Sequence, residues 1–226
     1  MNKLVLFDID KTLIDGSRAH HFSYSAGFKK IYGIDADIST INHRGMTDQQ
    51  IIIEVLKRNN LSEEEIKSKI SDCMKVMIES FSELILKDEI IVLKGVRELL
   101  EILEKKGVLM GLVTGNLEPI ARGKLKKINL DKYFKVGGFG SDHIDRTNLI
   151  KMAIKKAEDN FDFKFDNNVF HTGDATQDMM AGKNAGVKTI GVTTGPCSEE
   201  QLRAAGADFV FNNLSDTKTI LDIILS

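Results

Sequence analysis

Short apolar runs rich in β-branched residues recur along the chain and are usually followed by Gly, Asp or Thr. Between most of them lie stretches with the apolar period of an amphipathic helix, such as Val96 to Lys106 and Leu149 to Glu158. Alternation of strand and helix predicts a parallel sheet with right-handed crossovers, so we expect a doubly wound, Rossmann-like α/β core. The predicted strands are Lys3 to Phe7, Val108 to Val113, Phe134 to Phe139, Asn168 to His171, Lys188 to Val192 and Asp208 to Phe211.

One long segment between Asp15 and Leu93 interrupts the alternation, with helical patterns and no convincing strand. We therefore predict a small all-helical cap domain of residues 15–92, inserted into a core domain formed by residues 1–14 and 93–226. Two short linkers would let the cap move over the carboxyl ends of the strands, where open α/β folds bind ligands. Capping boxes predict two of its helices, one from Thr47 with Gln50 to about Asn60 and one from Ser62 with Glu65 to about Phe81.

The composition is that of an ordinary globular protein, with 42% hydrophobic and 28% charged residues and a net charge of −2. That balance gives no basic surface for nucleic acid or for an anionic membrane. The first apolar run is too short for a signal peptide, and no segment reaches membrane-spanning length. Cys73 and Cys197 have no metal-binding spacing. We expect a cytoplasmic monomer or homodimer with small-molecule partners, and neither nucleic acid nor membrane as a partner.

Two carboxylates follow the first predicted strand, in the segment Phe7-Asp8-Ile9-Asp10-Lys11-Thr12. Their spacing of two residues points both side chains to the same side of an extended chain. Such a pair can divide the work of phosphoryl transfer: Asp8 attacks phosphorus, and Asp10 carries a proton to or from the ester oxygen. Taken alone, the same pattern is equally typical of a strand end followed by a turn.

The second core strand ends in Thr114-Gly115-Asn116, before a helix that carries Pro119 in its first turn. A Thr hydroxyl and free N–H groups at a helix start are suited to holding phosphate oxygens. We predict that Thr114, Gly115 and Asn116 form an anion cradle that binds the substrate. The alternative is a simple helix cap by Asn116.

Two further acids follow a later strand, in the segment Thr172-Gly173-Asp174-Ala175-Thr176-Gln177-Asp178. If a helix begins near Thr176, both carboxylates face the edge of the sheet that Asp8 occupies. Magnesium prefers oxygen-only sites, although calcium accepts the same ligand type. The alternative is that Asp178 only favours the helix dipole, which leaves Asp174 without a role. The predicted magnesium ligands are Asp8, Asp10, Asp174 and Asp178.

Four acids at a site for a phosphate dianion require a basic side chain as well as one divalent cation. The candidate is Arg146, between the third core strand and a helix that is expected to begin near Asn148. The alternative is a surface arginine paired with Asp142 or Asp145.

These four segments, in this order, resemble the haloacid dehalogenase superfamily of phosphatases over essentially the whole chain. The resemblance implies a nucleophile at Asp8, a general acid and base at Asp10, phosphate binding by Thr114, and magnesium held by Asp174 and Asp178. The segment 15–92 looks like the helical cap of phosphoglycolate phosphatase-like and β-phosphoglucomutase-like members.

Two positions depart from the family's pattern, which usually has glycine at the position of Lys11 and lysine at that of Arg146. A guanidinium keeps the charge and changes the geometry, so the role of Arg146 is expected to survive. In the cap, Arg44 and His20 are the residues predicted to contact the substrate, although a solvent-facing loop is slightly favoured for Arg44.

The expected function is magnesium-dependent hydrolysis of a small phosphorylated metabolite through an aspartyl phosphate on Asp8. A sugar-phosphate mutase is the main alternative, because His20 lies where mutases of the family place a histidine; with His21 beside it, a solvated helix face fits equally well. A dehalogenase would leave Asp10, Asp174 and Asp178 without a role. A non-enzymatic phospho-receiver module is a further alternative, but such modules are about half as long as this chain and have no helical insert.

Overall fold

The computed structural model describes residues 2–226, and a parallel sheet forms its centre. Six strands form that sheet in the order β5-β4-β1-β6-β7-β8, and each pairs in parallel with its neighbours. This topology confirms the predicted doubly wound α/β fold. The strands are β1 (Leu4–Phe7), β2 (Ile14–Asp15), β3 (Ile91–Val92), β4 (Leu109–Thr114), β5 (Val136–Phe139), β6 (Val169–Gly173), β7 (Lys188–Val192) and β8 (Phe209–Phe211).

Helices connect the strands and cover both faces of the sheet. Alternation along β1 shows why both faces are apolar: Val5 and Phe7 pack into one buried cluster, and Leu4 and Leu6 into another. The helices are α1 (Arg18–Gly27), α2 (Asp48–Arg58), α3 (Glu63–Leu84), α4 (Val96–Lys105), α5 (Glu118–Lys127), α6 (Arg146–Asn160), α7 (Thr176–Ala185), α8 (Glu199–Ala204) and α9 (Thr217–Leu225).

The six predicted core strands are confirmed, and their observed starts lie within two residues of the expected ones. The helix after the third core strand starts at Arg146, two residues earlier than expected, because Asp145 is its N-cap and accepts a hydrogen bond from the Thr147 amide at 2.7 Å. The helix that begins after Ser62 continues to Leu84, three residues beyond the expected end.

The segment that contains α1, α2 and α3 packs around a hydrophobic cluster that includes Tyr24, Phe28 and Phe81 and also takes in Leu117 and Ile120 at the start of α5. The expectation that no strand lies between Asp15 and Leu93 was wrong. β2 and β3 pair antiparallel where the chain leaves and re-enters the core, and a strand of two residues is too short to show periodicity. The division into domains 15–92 and 1–14 with 93–226 stays a prediction.

Hydrophobic helices of membrane-spanning length are absent from the part of the chain that the structure describes, residues 2–226.

Candidate active site

The carboxyl ends of β1 and β6 bring distant acids together, because these two strands are neighbours in the sheet. Phe7 is in register with Thr172, and the Asp8 amide continues the ladder by donating to the Thr172 carbonyl at 2.9 Å. Asp8 therefore follows β1 at the same edge at which Asp174 follows β6. Both side chains are buried, with exposed fractions of 4% and 6%.

Asp8, Asp174 and Asp178 each place a carboxylate oxygen within 4.8 Å of the others. Asp178 lies in the first turn of α7, where it accepts a hydrogen bond from the Ala175 amide at 3.1 Å. The Thr12 hydroxyl lies 3.3 Å from an oxygen of Asp174 and donates to it. Buried oxygen ligands at this spacing fit a hard divalent cation such as magnesium, because they replace part of its hydration shell.

Arg146 is the cation within this cluster. Its Nη1 donates to Asp8 Oδ1 at 3.3 Å and also to Asp178, and its Nε donates to the Gly45 carbonyl at 3.1 Å. The alternative of a surface arginine paired with Asp142 or Asp145 does not apply, because the Arg146 side chain is only 11% exposed. Three carboxylates and one guanidinium leave a formal charge of −2, which one divalent cation offsets.

The net negative charge of the cluster also affects the pKa values of its acids. Burial raises the pKa of Asp8 well above its ordinary value; Arg146 opposes this, while Asp178 and Asp174 add to it. Burial and the neighbouring Asp178 raise the pKa of Asp174 to about 7. For Asp178, burial acts upward, but Arg146 and His171 hold its pKa below the ordinary value. The cluster as it stands therefore favours binding another cation.

The Asp10 carboxylate lies outside this cluster, so its role as a metal ligand stays a prediction. Lys124 Nζ donates to both of its oxygens, at 2.8 and 2.7 Å. Burial acts upward on the pKa of Asp10, but the Lys124 ammonium and His20 lower it below the ordinary value. Charge counting at the sequence level demanded one basic partner, Arg146, whereas the structure has two.

Lys124 was missed in the sequence because it lies in a helix end rich in lysine, next to Lys126 and Lys127, which is typical of a solvated surface. A signal was nevertheless present. Lys124 falls three and four residues after Ala121 and Ile120, on the apolar face of α5. A lysine on that face has to find a buried partner.

The predicted anion cradle has fewer free N–H groups than expected, because the amides of Asn116 and Leu117 already have partners. The Asn116 amide donates to the Thr114 hydroxyl at 3.3 Å, and the Leu117 amide donates to Asp48 at 2.8 Å. Leu117 rather than Asn116 is the N-cap residue of α5. Gly115 permits a close approach, since a Cβ there would meet the Met46 carbonyl oxygen at 2.4 Å.

A cavity of about 780 Å³ opens in front of the acids and extends between the core and the helical segment. Asn116 lines it, whereas neither Thr114 nor Gly115 is among the described residues that do so. The size suits a small metabolite, because pockets for such ligands are of the order of 300–1,000 Å³.

His20 and Arg44 both line the cavity, in different environments. Arg44 is exposed. His20 is buried, which contradicts the alternative of a solvated helix face: its Nε2 lies 3.1 Å from Asp48 and its Nδ1 lies 3.0 Å from Lys124 Nζ. His21 is half-buried and pairs with Asp37 at 2.9 Å.

Lys11 lies at the mouth of the site with a φ of 65°, in the left-handed region that favours glycine. This backbone conformation explains why a glycine is usual at the position in the family that the motifs resemble. The Lys11 side chain pairs with Asp15 at 2.5 Å and does not contact Asp10.

A family model described as haloacid dehalogenase-like hydrolase matches residues 5–192. The chain is 28% identical over 225 residues to "Putative pyrophosphatase PpaX" of Clostridium perfringens, an alignment that covers 99% of this chain and 98% of that protein. It is 29% identical over 128 residues to "Phosphoglycolate phosphatase" of Vibrio parahaemolyticus, covering 57% of this chain and 55% of that one.

Among solved structures, one titled "Putative beta-phosphoglucomutase from Bacteroides vulgatus" superposes with a TM-score of 0.69 and 26% sequence identity. The superposition covers 99% of this chain and 88% of that chain.

Proposed function

Because the chain belongs to the haloacid dehalogenase-like hydrolase family, we propose that it is a magnesium-dependent phosphatase that hydrolyses small phosphomonoesters through an aspartyl phosphate on Asp8. The observation that carries this proposal is the convergence of Asp8 with Asp174, Asp178 and Arg146 at the end of β1. A nucleophile for phosphorus, ligands for a divalent cation and a guanidinium for phosphate charge then share one site.

In the first half of the reaction, an oxygen of Asp8 attacks phosphorus and the bond to the ester oxygen breaks. Asp10, which must take up a proton before cleavage because, despite burial, Lys124 keeps its pKa low, gives that proton to the leaving alkoxide, so the products are an alcohol and the phosphorylated Asp8. In the second half, Asp10 takes a proton from water, the water oxygen attacks phosphorus, and the bond to Asp8 breaks. Inorganic phosphate leaves, and both aspartates return to their starting state.

Asp8, Asp174 and Asp178 would hold magnesium, which neutralises charge on the phosphoryl oxygens when bound. Arg146 keeps the Asp8 and Asp178 carboxylates in place and adds positive charge beside the transferring group. The substrate-facing role predicted for Thr114, Gly115 and Asn116 remains part of the proposal, with Asn116 the member that lines the cavity.

We also propose that residues 15–92 form a cap that selects the leaving group. Three observations support it: most of the segment's buried apolar residues form a cluster separate from the two clusters of the sheet, the segment is bounded by the paired strands β2 and β3, and it lines the cavity with His20 and Arg44. The core contacts the phosphate, so discrimination between esters falls to the residues that enclose the rest of the substrate.

Phosphate release from p-nitrophenyl phosphate tests the proposal. We expect activity with magnesium and none in a chelator, and Asp8→Asn should reduce the rate by about a thousandfold or more because the nucleophile is lost. Asp162→Asn is the matched control, since Asp162 is exposed and outside the cavity. Equal activity in a chelator would refute the metal, and an active Asp8→Asn variant with an unchanged melting curve would refute the nucleophile.

A sugar-phosphate mutase is the second candidate, favoured by the buried His20 beside Lys124 and by the likeness to the structure titled as a β-phosphoglucomutase. Phosphorus NMR of reactions with phosphoglycolate, pyrophosphate and hexose phosphates separates the two. A phosphatase converts a substrate to inorganic phosphate, whereas a mutase converts one hexose phosphate into its isomer with little phosphate released.

A further inference from the structure

Lys124 is a lysine whose side chain is only 1% exposed. A buried ammonium is strongly destabilising unless it is paired and hydrogen-bonded, so full burial of a lysine requires specific partners. The four motifs that define the site do not include it.

The three N–H groups of this ammonium have three partners. They are the Asp10 carboxylate at 2.8 and 2.7 Å, the Asn116 side-chain oxygen at 2.7 Å and His20 Nδ1 at 3.0 Å. A lysine ammonium carries three donors and no acceptor, so its hydrogen-bonding capacity is filled. The acceptor role of Nδ1 leaves Nε2 of His20 as the donor to Asp48.

Asp48 holds the far end of this network. Its carboxylate accepts from the Tyr24 hydroxyl at 2.6 Å and from the Leu117 amide at 2.8 Å, besides its contact with His20. Both the Asp48 side chain, at 2%, and the His20 side chain, at 11%, have little exposure. Since His20 is fixed in turn by Asp48, this end of the network holds Lys124 Nζ in place.

Asp10 differs from the rest of this network, because its side chain is 42% exposed at the cavity. A side chain with that freedom has several staggered rotamers available. Arg146 contacts Asp8 and Asp178, and Lys11 contacts Asp15. Among residues 2–226, Lys124 is the only cationic side chain within salt-bridge distance of Asp10.

We propose that Lys124 is a positioning residue that fixes the Asp10 carboxylate at the point where the ester oxygen leaves and water later enters. This inference rests on the proposed function, because Asp10 has a proton to transfer only if a phosphate ester is cleaved. Lys124 itself contacts neither the metal ligands nor Arg146, and it acts through Asp10.

The test compares two esters in single turnovers with enzyme in excess, following release of the alcohol. One is p-nitrophenyl phosphate, whose leaving group departs without a proton. The other is an alkyl ester, whichever of phosphoglycolate and the hexose phosphates the wild-type enzyme hydrolyses fastest. Lys124→Met keeps a flexible unbranched side chain, one atom shorter, and removes its charge. We expect alcohol release from the alkyl ester to slow about a hundredfold, the size of a lost general acid, and nitrophenol release to slow by less than about tenfold.

A double-mutant cycle separates positioning from a general structural role. In the Asp10→Asn background, Lys124→Met should slow the alkyl ester by no more than about twofold, because the group that it positions is already lost. Lys126→Met, an exposed neighbour on the same helix, is the matched control and should leave both esters unchanged. Lys124→Gln, which keeps donors without the charge, replaces Lys124→Met if that variant does not fold.

Equal losses on the two esters, or a full additional loss in the Asp10→Asn background, would overturn the positioning role. A wild-type enzyme that releases no alcohol from either ester would instead refute the proposed function, and the inference with it. A wild-type enzyme that is active while Lys124→Met is unaffected refutes the inference alone.

Discussion

Asp8 and Asp10 are two residues apart, yet the fold gives their carboxylates opposite electrostatic surroundings. Burial raises the pKa of Asp8 well above its ordinary value against the pull of Arg146, since Asp178 adds repulsion. Burial also acts upward on Asp10, but Lys124 lowers its pKa below the ordinary value. These surroundings favour the protonated form of Asp8 and the ionised form of Asp10, so Asp8 needs a bound cation to act as an ionised nucleophile and Asp10 must take up a proton before it acts as an acid.

The contacts of Arg146 predict separate effects for losing its charge and for losing the shape of its guanidinium. Arg146→Ala should lower kcat by about a hundredfold to a thousandfold, the effect of removing one well-placed donor to transition-state charge. Arg146→Lys should lose less, because it keeps the charge but cannot reach Asp8, Asp178 and the Gly45 carbonyl together. Steady-state kinetics on p-nitrophenyl phosphate measure both, with the exposed Arg203→Ala as control. An Arg146→Ala variant within a few-fold of wild type would contradict the role.

Gly195 gives a second prediction at the scale of one residue. A Cβ at this position would lie 1.8 Å from an oxygen of Asp174, which is buried and cannot move freely. Gly195→Ala should therefore displace the Asp174 carboxylate and raise the magnesium concentration needed for half-maximal activity. In Gly191→Ala, the nearest contact of the added Cβ is Leu202 at 3.1 Å, so this control should lose some stability and keep its magnesium dependence. The same magnesium requirement in both variants would show that Asp174 is not a ligand.

The two predicted capping boxes, at the starts of α2 and α3, differ in the structure. At the start of α2, Thr47 accepts from the Gln50 amide at 3.4 Å, and the Gln50 side chain accepts from the Thr47 amide at 2.9 Å. At the start of α3, Ser62 accepts from the Glu65 amide at 3.2 Å, but the reciprocal bond of a full box is not formed. Thr47 is also buried, whereas Ser62 is exposed.

This difference predicts unequal losses of stability. Thr47→Ala should lower the free energy of unfolding by about 1–2 kcal/mol and Ser62→Ala by about 0.5–1 kcal/mol, because the loss of an N-cap falls in that range and burial places Thr47 at its upper end. Urea denaturation measures both. Ser68→Ala, at an exposed site inside α3, should be neutral or slightly stabilising. A larger loss for Ser62→Ala than for Thr47→Ala would contradict the prediction.

Two of the features that join the helical segment to the core involve the helix α5. The first is the network from Asp48 through His20 to Lys124, in which α1 and α2 contact the core helix α5. The second is apolar: Phe81 of α3 packs so closely on α5 that a Cβ at Gly123 would meet its ring at 2.6 Å. The cavity therefore has walls from both parts of the chain, and its shape depends on how they pack together.

The metal-free molecule should be destabilised by the repulsion among its own acids. We therefore predict that the stability difference between Asp174→Asn and wild type changes sign when magnesium is added. The folded-state pKa of Asp174, about 7, lies above its ordinary value of 3.8, so between these pH values the folded state binds more protons than the unfolded state. The contribution of Asp174 to stability therefore falls as pH rises through that window. In a chelator, Asp174→Asn should be more stable than wild type, and by more at pH 8 than at pH 5.

Magnesium should reverse that order. Binding to the folded state alone adds about 2.7 kcal/mol at a concentration of one hundred times Kd, and Asp174→Asn should gain much less. Chemical denaturation of both proteins at the two pH values, with magnesium and with a chelator, measures the effect; Asp166→Asn, an exposed acid outside the cavity, is the control. A wild-type protein that magnesium does not stabilise would contradict the site.

Much of this architecture follows from local patterns in the sequence. The six core strands were predicted because runs buried on both faces of a parallel sheet are continuously apolar, and the helices because their apolar faces repeat with the helical period. The positions of Asp8 and Asp174 at one edge also followed, since the carboxyl ends of parallel strands meet there. What could not be seen locally was the pairing of β2 with β3, because two residues carry no period.

The fold class, the order of the strand ends and the acids that those ends carry could all be predicted from the sequence, because each depends on residues close together in the chain. Charge counting already predicted Arg146 as the basic partner at this site, whereas the pairing of Lys124 with Asp10 could be seen only in the folded molecule. Arg146 lies with Asp8 and Asp178, and Lys124 with Asp10, across separations of up to 138 residues. Side-chain pairing over such distances depends on how helices pack against the sheet, and no local pattern encodes that packing.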